Sequence, residues 1–109
     1  MKQKAIVLLK ELVRDIVEKN YNSIKINNRL GRLTIEELDE AIQEYGIPLV
    51  YPPDSAFENF DVYEVEKNKK YTIDFDMWDI EGEGDLTLQC EIYLNGDDVQ
   101  ISIDDLHVL

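Results

Sequence analysis

A chain of 109 residues with 44% hydrophobic and 32% charged side chains is the size and make-up of one globular domain, not a disordered segment. Its net charge of −13 works against binding to nucleic acid or to an anionic membrane, and favours basic proteins or cations. A single cysteine excludes an internal disulfide, so nothing in the composition calls for an oxidising compartment.

The charge is unevenly placed. Residues 1–32 hold eight Lys or Arg and three acids, a net +5, whereas residues 33–109 hold three Lys and 21 acids, a net −18. The N-terminal lysines precede an apolar run, Ala5-Ile6-Val7-Leu8-Leu9, that Lys10 ends after five residues. Such a run is too short for a signal-peptide core or a bilayer span, so a cytoplasmic location is expected, or export by a route that leaves no cleavable signal.

Ala5, Ile6, Leu9, Leu12, Val13, Ile16 and Val17 recur at three- and four-residue steps and predict an amphipathic helix. Its polar face is mixed in sign, which suits packing on a sheet better than lying on a membrane. Asn20, Asn22, Ser23, Asn27, Asn28 and Gly31 then predict a turn or irregular connection, with Ile24, Ile26 and Leu30 tucked beneath it. Lys25, Arg29 and Arg32 form a small basic cluster there, a solvated loop or an internal counterweight to the acidic half.

Thr34 and Glu37 fit a capping box and open a second helix with a stripe of Ile35, Leu38, Ala41, Ile42 and Tyr45. Gly46 and Pro48 close it. Pro48, Pro52 and Pro53 predict an extended or looped connection over residues 47–60, with one short turn through Phe57.

From Asp61 the period becomes two. Four strands are expected, at 61–66, 70–78, 86–94 and 98–104, joined by Lys67-Asn68-Lys69, by Glu81 to Asp85, and by the hairpin signal Asn95-Gly96. The predicted fold is α+β: two N-terminal helices packed on one face of a four-stranded antiparallel meander. A single domain spans residues 1–109, with helices within residues 1–46, a proline-rich connection over 47–60 and the sheet over 61–109. Alternation sends Tyr71, Ile73, Phe75, Met77, Leu86, Leu88, Cys90, Ile92, Leu94, Val99, Ile101 and Ile103 towards the helices. The outer face then carries Thr72, Asp74, Asp76, Trp78, Thr87, Gln89, Glu91, Tyr93, Gln100, Ser102 and Asp104, joined by Glu64 and Glu66.

Carboxylates crowded on one sheet face repel one another, and Trp and Tyr are enriched at the energetic centres of interfaces. Glu64, Glu66, Asp74, Asp76, Trp78, Glu91 and Tyr93 are therefore the expected partner-binding residues. The acids from Asp74 to Asp85 are rich in oxygen ligands but lack the spacing of a calcium loop, so a metal-dependent enzyme or calcium sensor ranks below a plain hairpin. Cys90 falls on the inward parity, as a small core residue. His107, the only histidine, has no second nitrogen or sulfur ligand beside it and reads as a tail residue bonded to the body. No nucleophile triad or phosphate-cradling loop appears, so neither catalysis nor a metal or cofactor is expected.

Gly31-Arg32-Leu33-Thr34-Ile35-Glu36-Glu37-Leu38, the stop Glu44-Tyr45-Gly46, Pro52-Pro53 with Phe57-Glu58, Asp85-Leu86-Thr87-Leu88 and the closing Ile103-Asp104-Asp105-Leu106-His107-Val108-Leu109 occur together. In these the chain resembles a small uncharacterised bacterial α+β family, whose members are similar in size and charge to toxin-immunity proteins. The resemblance implies a cytoplasmic, non-enzymatic domain and brings no active-site residues with it. The resulting expectation is an immunity protein that neutralises a basic, nuclease-like toxin by covering its substrate site, as a monomer or weak homodimer. The other open reading is a small scaffold or regulatory subunit that self-associates through the first helix or the last strand.

Overall fold

A computed structural model describes residues 2–109. Helix α1, Lys2–Val17, buries Ala5, Leu9, Leu12, Val13 and Ile16, the stripe set by its 3.6-residue period. The chain leaves it through Lys19 in the left-handed region, φ 57°. A second, short helix α2 follows at Tyr21–Ile26, where the sequence suggested only an irregular connection. The asparagines do stop it, since Asn27 caps its end and Asn28 turns left-handed at φ 58°. Within the helix Ile24 is fully buried, and that burial holds a six-residue helix that propensity alone does not sustain. Tyr21 Oη donates to Asp39 Oδ1 at 2.6 Å, tying α2 to the next helix.

Helix α3, Ile35–Tyr45, begins in a reciprocal capping box: Glu37 N–H donates to Thr34 Oγ1 at 3.1 Å and Thr34 N–H to Glu37 Oε1 at 3.0 Å. Gly46, φ 77°, ends it. Among the described residues the fold is thus α+β with three helices, and its antiparallel sheet has five strands where four were expected. The additional strand is β1, Leu49–Val50, paired with Asp79 and Trp78. Two residues between Pro48 and Pro52 carry no alternation to read. After a 3-10 turn at Asp54–Glu58 come β2 (Asp61–Glu66), β3 (Lys70–Asp79), β4 (Gly82–Asn95) and β5 (Asp98–Val108). β1 and β2 share one edge of β3, and β4 and β5 extend the sheet on the other side.

Three rungs carry the helix-facing side: Phe75–Leu88–Leu106, Ile73–Cys90–Ile103 and Tyr71–Ile92–Ile101. All but Tyr71 are buried, beneath α1 and α3. Phe57 of the 3-10 turn stacks on Phe75 with ring centroids 5.0 Å apart, and Tyr51 lies against it at 5.7 Å.

Two irregularities move the expected boundaries. β4 starts at Gly82, inside the segment expected to be a loop, because its pairing with β3 shifts between Asp76 and Trp78. Gly84 lies so near Tyr45 that a Cβ there would stand 2.5 Å from Tyr45 Oη and 2.7 Å from Asp79 Oδ2, so any side chain would displace that pair. Tyr45 Oη donates to the buried Asp79 carboxylate at 2.5 Å and accepts the Asp85 N–H at 3.2 Å, clamping α3 to this strand start. In β5 the register shifts opposite Gln89 and Cys90, leaving Asp104 unpaired in a bulge. The bulge resets the alternation, so Ile103 and Leu106 both point inward and the strand runs on to Val108 instead of ending at 104.

The α2–α3 connection closes the outer edge of β5. Ile103 N–H donates to Arg29 C=O at 2.8 Å, and Gly31, φ 61°, presses its backbone against the Ile103 carbonyl. No helix among the described residues is long and apolar enough to cross a membrane.

Candidate functional site

The face of the sheet away from the helices is built from four rungs: Asp76–Thr87–His107, Asp74–Gln89–Asp105, Thr72–Glu91–Ser102 and Lys70–Tyr93–Gln100. No two acids stand directly opposite each other between β3 and β4 in these rungs. Thr87 Oγ1 donates to Asp76 Oδ1 at 3.1 Å and Gln89 Nε2 to Asp74 Oδ1 at 3.2 Å, so each aspartate faces a neutral donor. On β5, His107 Nδ1 lies 2.7 Å from Asp105 Oδ2. Cross-strand hydrogen bonding offsets much of the repulsion that the composition implies.

The expected partner-binding residues separate into two groups and the two glutamates of β2. Asp74, Asp76 and Trp78 lie together on this face and line an open cavity of about 540 Å³. The far wall of the cavity is the segment from Ser55 to Asp61, and Glu83 and Thr87 close it from β4. Glu58, Asp61 and Glu83 thus join the two aspartates, and none of the described residues lining the cavity is Lys or Arg. Asp61 stands directly opposite Asp74, the one rung where two acids meet. Among the described residues, none of these five carboxylates takes part in an ion pair.

Glu91 and Tyr93 sit at the other end of the same face, and the protein's own cation occupies them. Lys70 Nζ is 2.5 Å from Glu91 Oε2 and 5.5 Å from the Tyr93 ring centre, while Tyr93 Oη donates to Glu91 at 3.0 Å. Lys70 holds the Glu91 carboxyl below the usual carboxylate range, and Glu91 in return raises the Lys70 ammonium. Stability from the lowered Glu91 is complete above its unfolded-chain value of about 4.3 and is lost as pH falls through the lower folded value. Stability from the raised Lys70 is complete below about 10.4 and is lost as pH rises through the higher folded value. In Lys70→Met, a carboxyl-detected NMR titration should show the Glu91 midpoint moving up towards the ordinary range. An unchanged midpoint would mean that Lys70 does not set it.

Glu66, on the outer face, is 3.6 Å from Lys69 Nζ. Glu64 is the correction. It stands opposite Tyr71 and therefore lies on the helix side, where it accepts Tyr71 Oη at 2.9 Å. A bulge between Glu64 and Glu66 separates their faces, and every residue of β2 is exposed, so burial gave the alternation nothing to lock onto.

The basic cluster of residues 25–32 is partly an internal counterweight. Arg29 pairs with Glu11 at 3.1 Å, and Arg32 Nη2 lies 2.7 Å from Asp104 Oδ1 in the β5 bulge. Asp104 is therefore a pinned bulge residue instead of a free acid. Cys90 is fully buried, and burial pushes its thiol well above the ordinary range, which makes it a poor nucleophile. No group of three or more His, Cys, Asp or Glu among the described residues is arranged to hold a metal ion.

Residues 13–109 match the model of a domain of unknown function, DUF7668, and the chain belongs to that family. No curated protein and no solved structure matches it significantly.

Proposed function

We propose that this member of the DUF7668 family is a protein-binding module whose acidic cavity seats basic side chains of a partner. The observation that carries the reading is the contrast within one sheet face. Glu91, Glu66 and Asp104 are held by Lys70, Lys69 and Arg32, whereas among the described residues the five carboxylates around Trp78 have no cation paired with them. Keeping like charges together, with Asp61 facing Asp74, costs folding free energy that a basic partner would return on binding. Trp78 supplies the aromatic surface on which a guanidinium or ammonium stacks favourably. In the specific form of the proposal the partner is a basic, nuclease-like toxin, and covering its substrate site neutralises it. The acidic charge then competes with the polyanion for the same cationic surface.

Stopped-flow association with a purified basic nuclease-toxin domain, chosen from the products of neighbouring genes, tests it. Raising salt from about 20 mM to about 300 mM should slow association roughly tenfold or more, because the Debye length shrinks below the reach of the cavity's field. Asp74→Asn combined with Asp76→Asn should slow association further at low salt, and Trp78→Ala should mainly speed dissociation. An association rate indifferent to both salt and the double variant would end the proposal.

A further inference from the structure

The two edges of the sheet are not alike. The β5 edge is interrupted by the Asp104 bulge and capped at Ile103 by Arg29. Among the described residues the β2 edge has no strand beyond it, because β2 pairs with β3 alone. All six residues of β2 are exposed, and they include Val62, Tyr63 and Val65, the densest run of exposed large hydrophobics in the described chain. An exposed strand edge with apolar side chains is a template for another strand, and proteins that do not use it blunt it. Here only the bulge at Val65 and three acids, Asp61, Glu64 and Glu66, do so.

Those acids choose among possible occupants. Two copies of β2 paired antiparallel about the strand centre would set Asp61 beside Glu66 of the partner subunit at both ends, which disfavours a second copy. On the helix side the edge shows Val62 above a small, mostly apolar dent lined by Ala5, Phe60, Tyr71, Ile73 and Ile92, with Lys2 at its rim, a cation that itself disfavours Lys or Arg on this side. On the outer side it shows Asp61, contiguous with the acidic cavity. Glu64 is drawn back onto Tyr71 and Glu66 onto Lys69, so the unneutralised negative end is the Asp61 end.

We infer that β2 docks an extended segment of another protein in which apolar and Lys or Arg residues alternate, added to the sheet as a sixth strand. The backbone bonds of β2 supply affinity for any extended chain. Alternation supplies the selection, with apolar side chains on the Val62 side and cations on the Asp61 side. The inference does not require the partner to be a toxin, and it concerns an edge that the cavity variants leave intact.

The test uses the full chain and a ten-residue peptide alternating Val and Lys, followed by amide NMR and hydrogen exchange. Peptide in excess should shift the amides of residues 61–66 and slow their exchange about tenfold. A peptide of the same composition with proline at alternate positions should do neither. Val62→Lys with Val65→Lys, both exposed and outside the core, should abolish the protection while the β3–β5 amides keep their shifts. Asp74→Asn with Asp76→Asn should leave the protection in place, so failure of the cavity reading and failure of this one are told apart. Equal shifts with the proline peptide, shifts confined to Asp74, Asp76 and Trp78, or protection of β2 that grows with protein concentration without peptide would each overturn the inference.

Discussion

Gly31→Ala should cost about 2–4 kcal/mol of folding free energy, a large share of what a domain of this size has. Two effects add. At φ 61° any side chain is strained. The added Cβ would also stand 1.9 Å from the Ile103 carbonyl oxygen, which is backbone of a buried strand and cannot swing away. The connection must lift, breaking the Ile103–Arg29 hydrogen bond and loosening Arg32 from Asp104. Gly96→Ala is the control. Its φ is 64°, but nothing lies within 4 Å of the position, so only the backbone strain of about 1 kcal/mol is expected. Urea denaturation at unchanged m-value measures both. Similar midpoint shifts for the two variants would show that the contact with β5 is not what makes Gly31 necessary.

Phe57→Ala should cost about 3–4 kcal/mol, in the range for emptying a buried aromatic site. Phe57 is 2% exposed and lies between Phe75 and Tyr51, with Lys10 Nζ 5.5 Å from its ring centre. It is the one fully buried side chain of the 3-10 turn, and that turn leads into the outer wall of the acidic cavity. The loss should therefore be local as well as global. Amide exchange at residues 54–61 should speed up more than exchange in β4 and β5, and any partner that uses the cavity should bind more weakly. A uniform loss of protection would mean that Phe57 is ordinary core and does not latch the wall.

What could be read in advance follows from which rules act locally. Thr34 with Glu37 and Asn95 with Gly96 announced a helix start and a hairpin, because each depends on residues a few places apart. The sides of β3 and β4 were legible because one face is buried and the apolar residues alternate along it, even though Thr87 on the other face is buried too. Their outward placement of Asp74, Asp76 and Trp78 follows from that alternation. The rest depended on tertiary contact. α2 exists because Ile24 reaches the core, and β1 because β3 is long enough to pair with Leu49 and Val50 as well as with β2. β5 continues past Asp104 only because a bulge takes up one residue. Glu58, Asp61 and Glu83 joined the cavity through register and a turn that leave no mark in local pattern. Glu64 was placed on the wrong side for the complementary reason, that a strand exposed on both sides has no preferred parity.

The rung Ile73–Cys90–Ile103 has a practical consequence. Its sulfur is shut between two strands, beneath the helices, with Asp104 and Asp74 adding to the pull against ionisation. An alkylating reagent can reach that sulfur only after the helices have lifted from the sheet or the strands around it have parted. Its rate of modification in native buffer then counts openings of the core, and the molecule carries a built-in reporter of how often it comes apart.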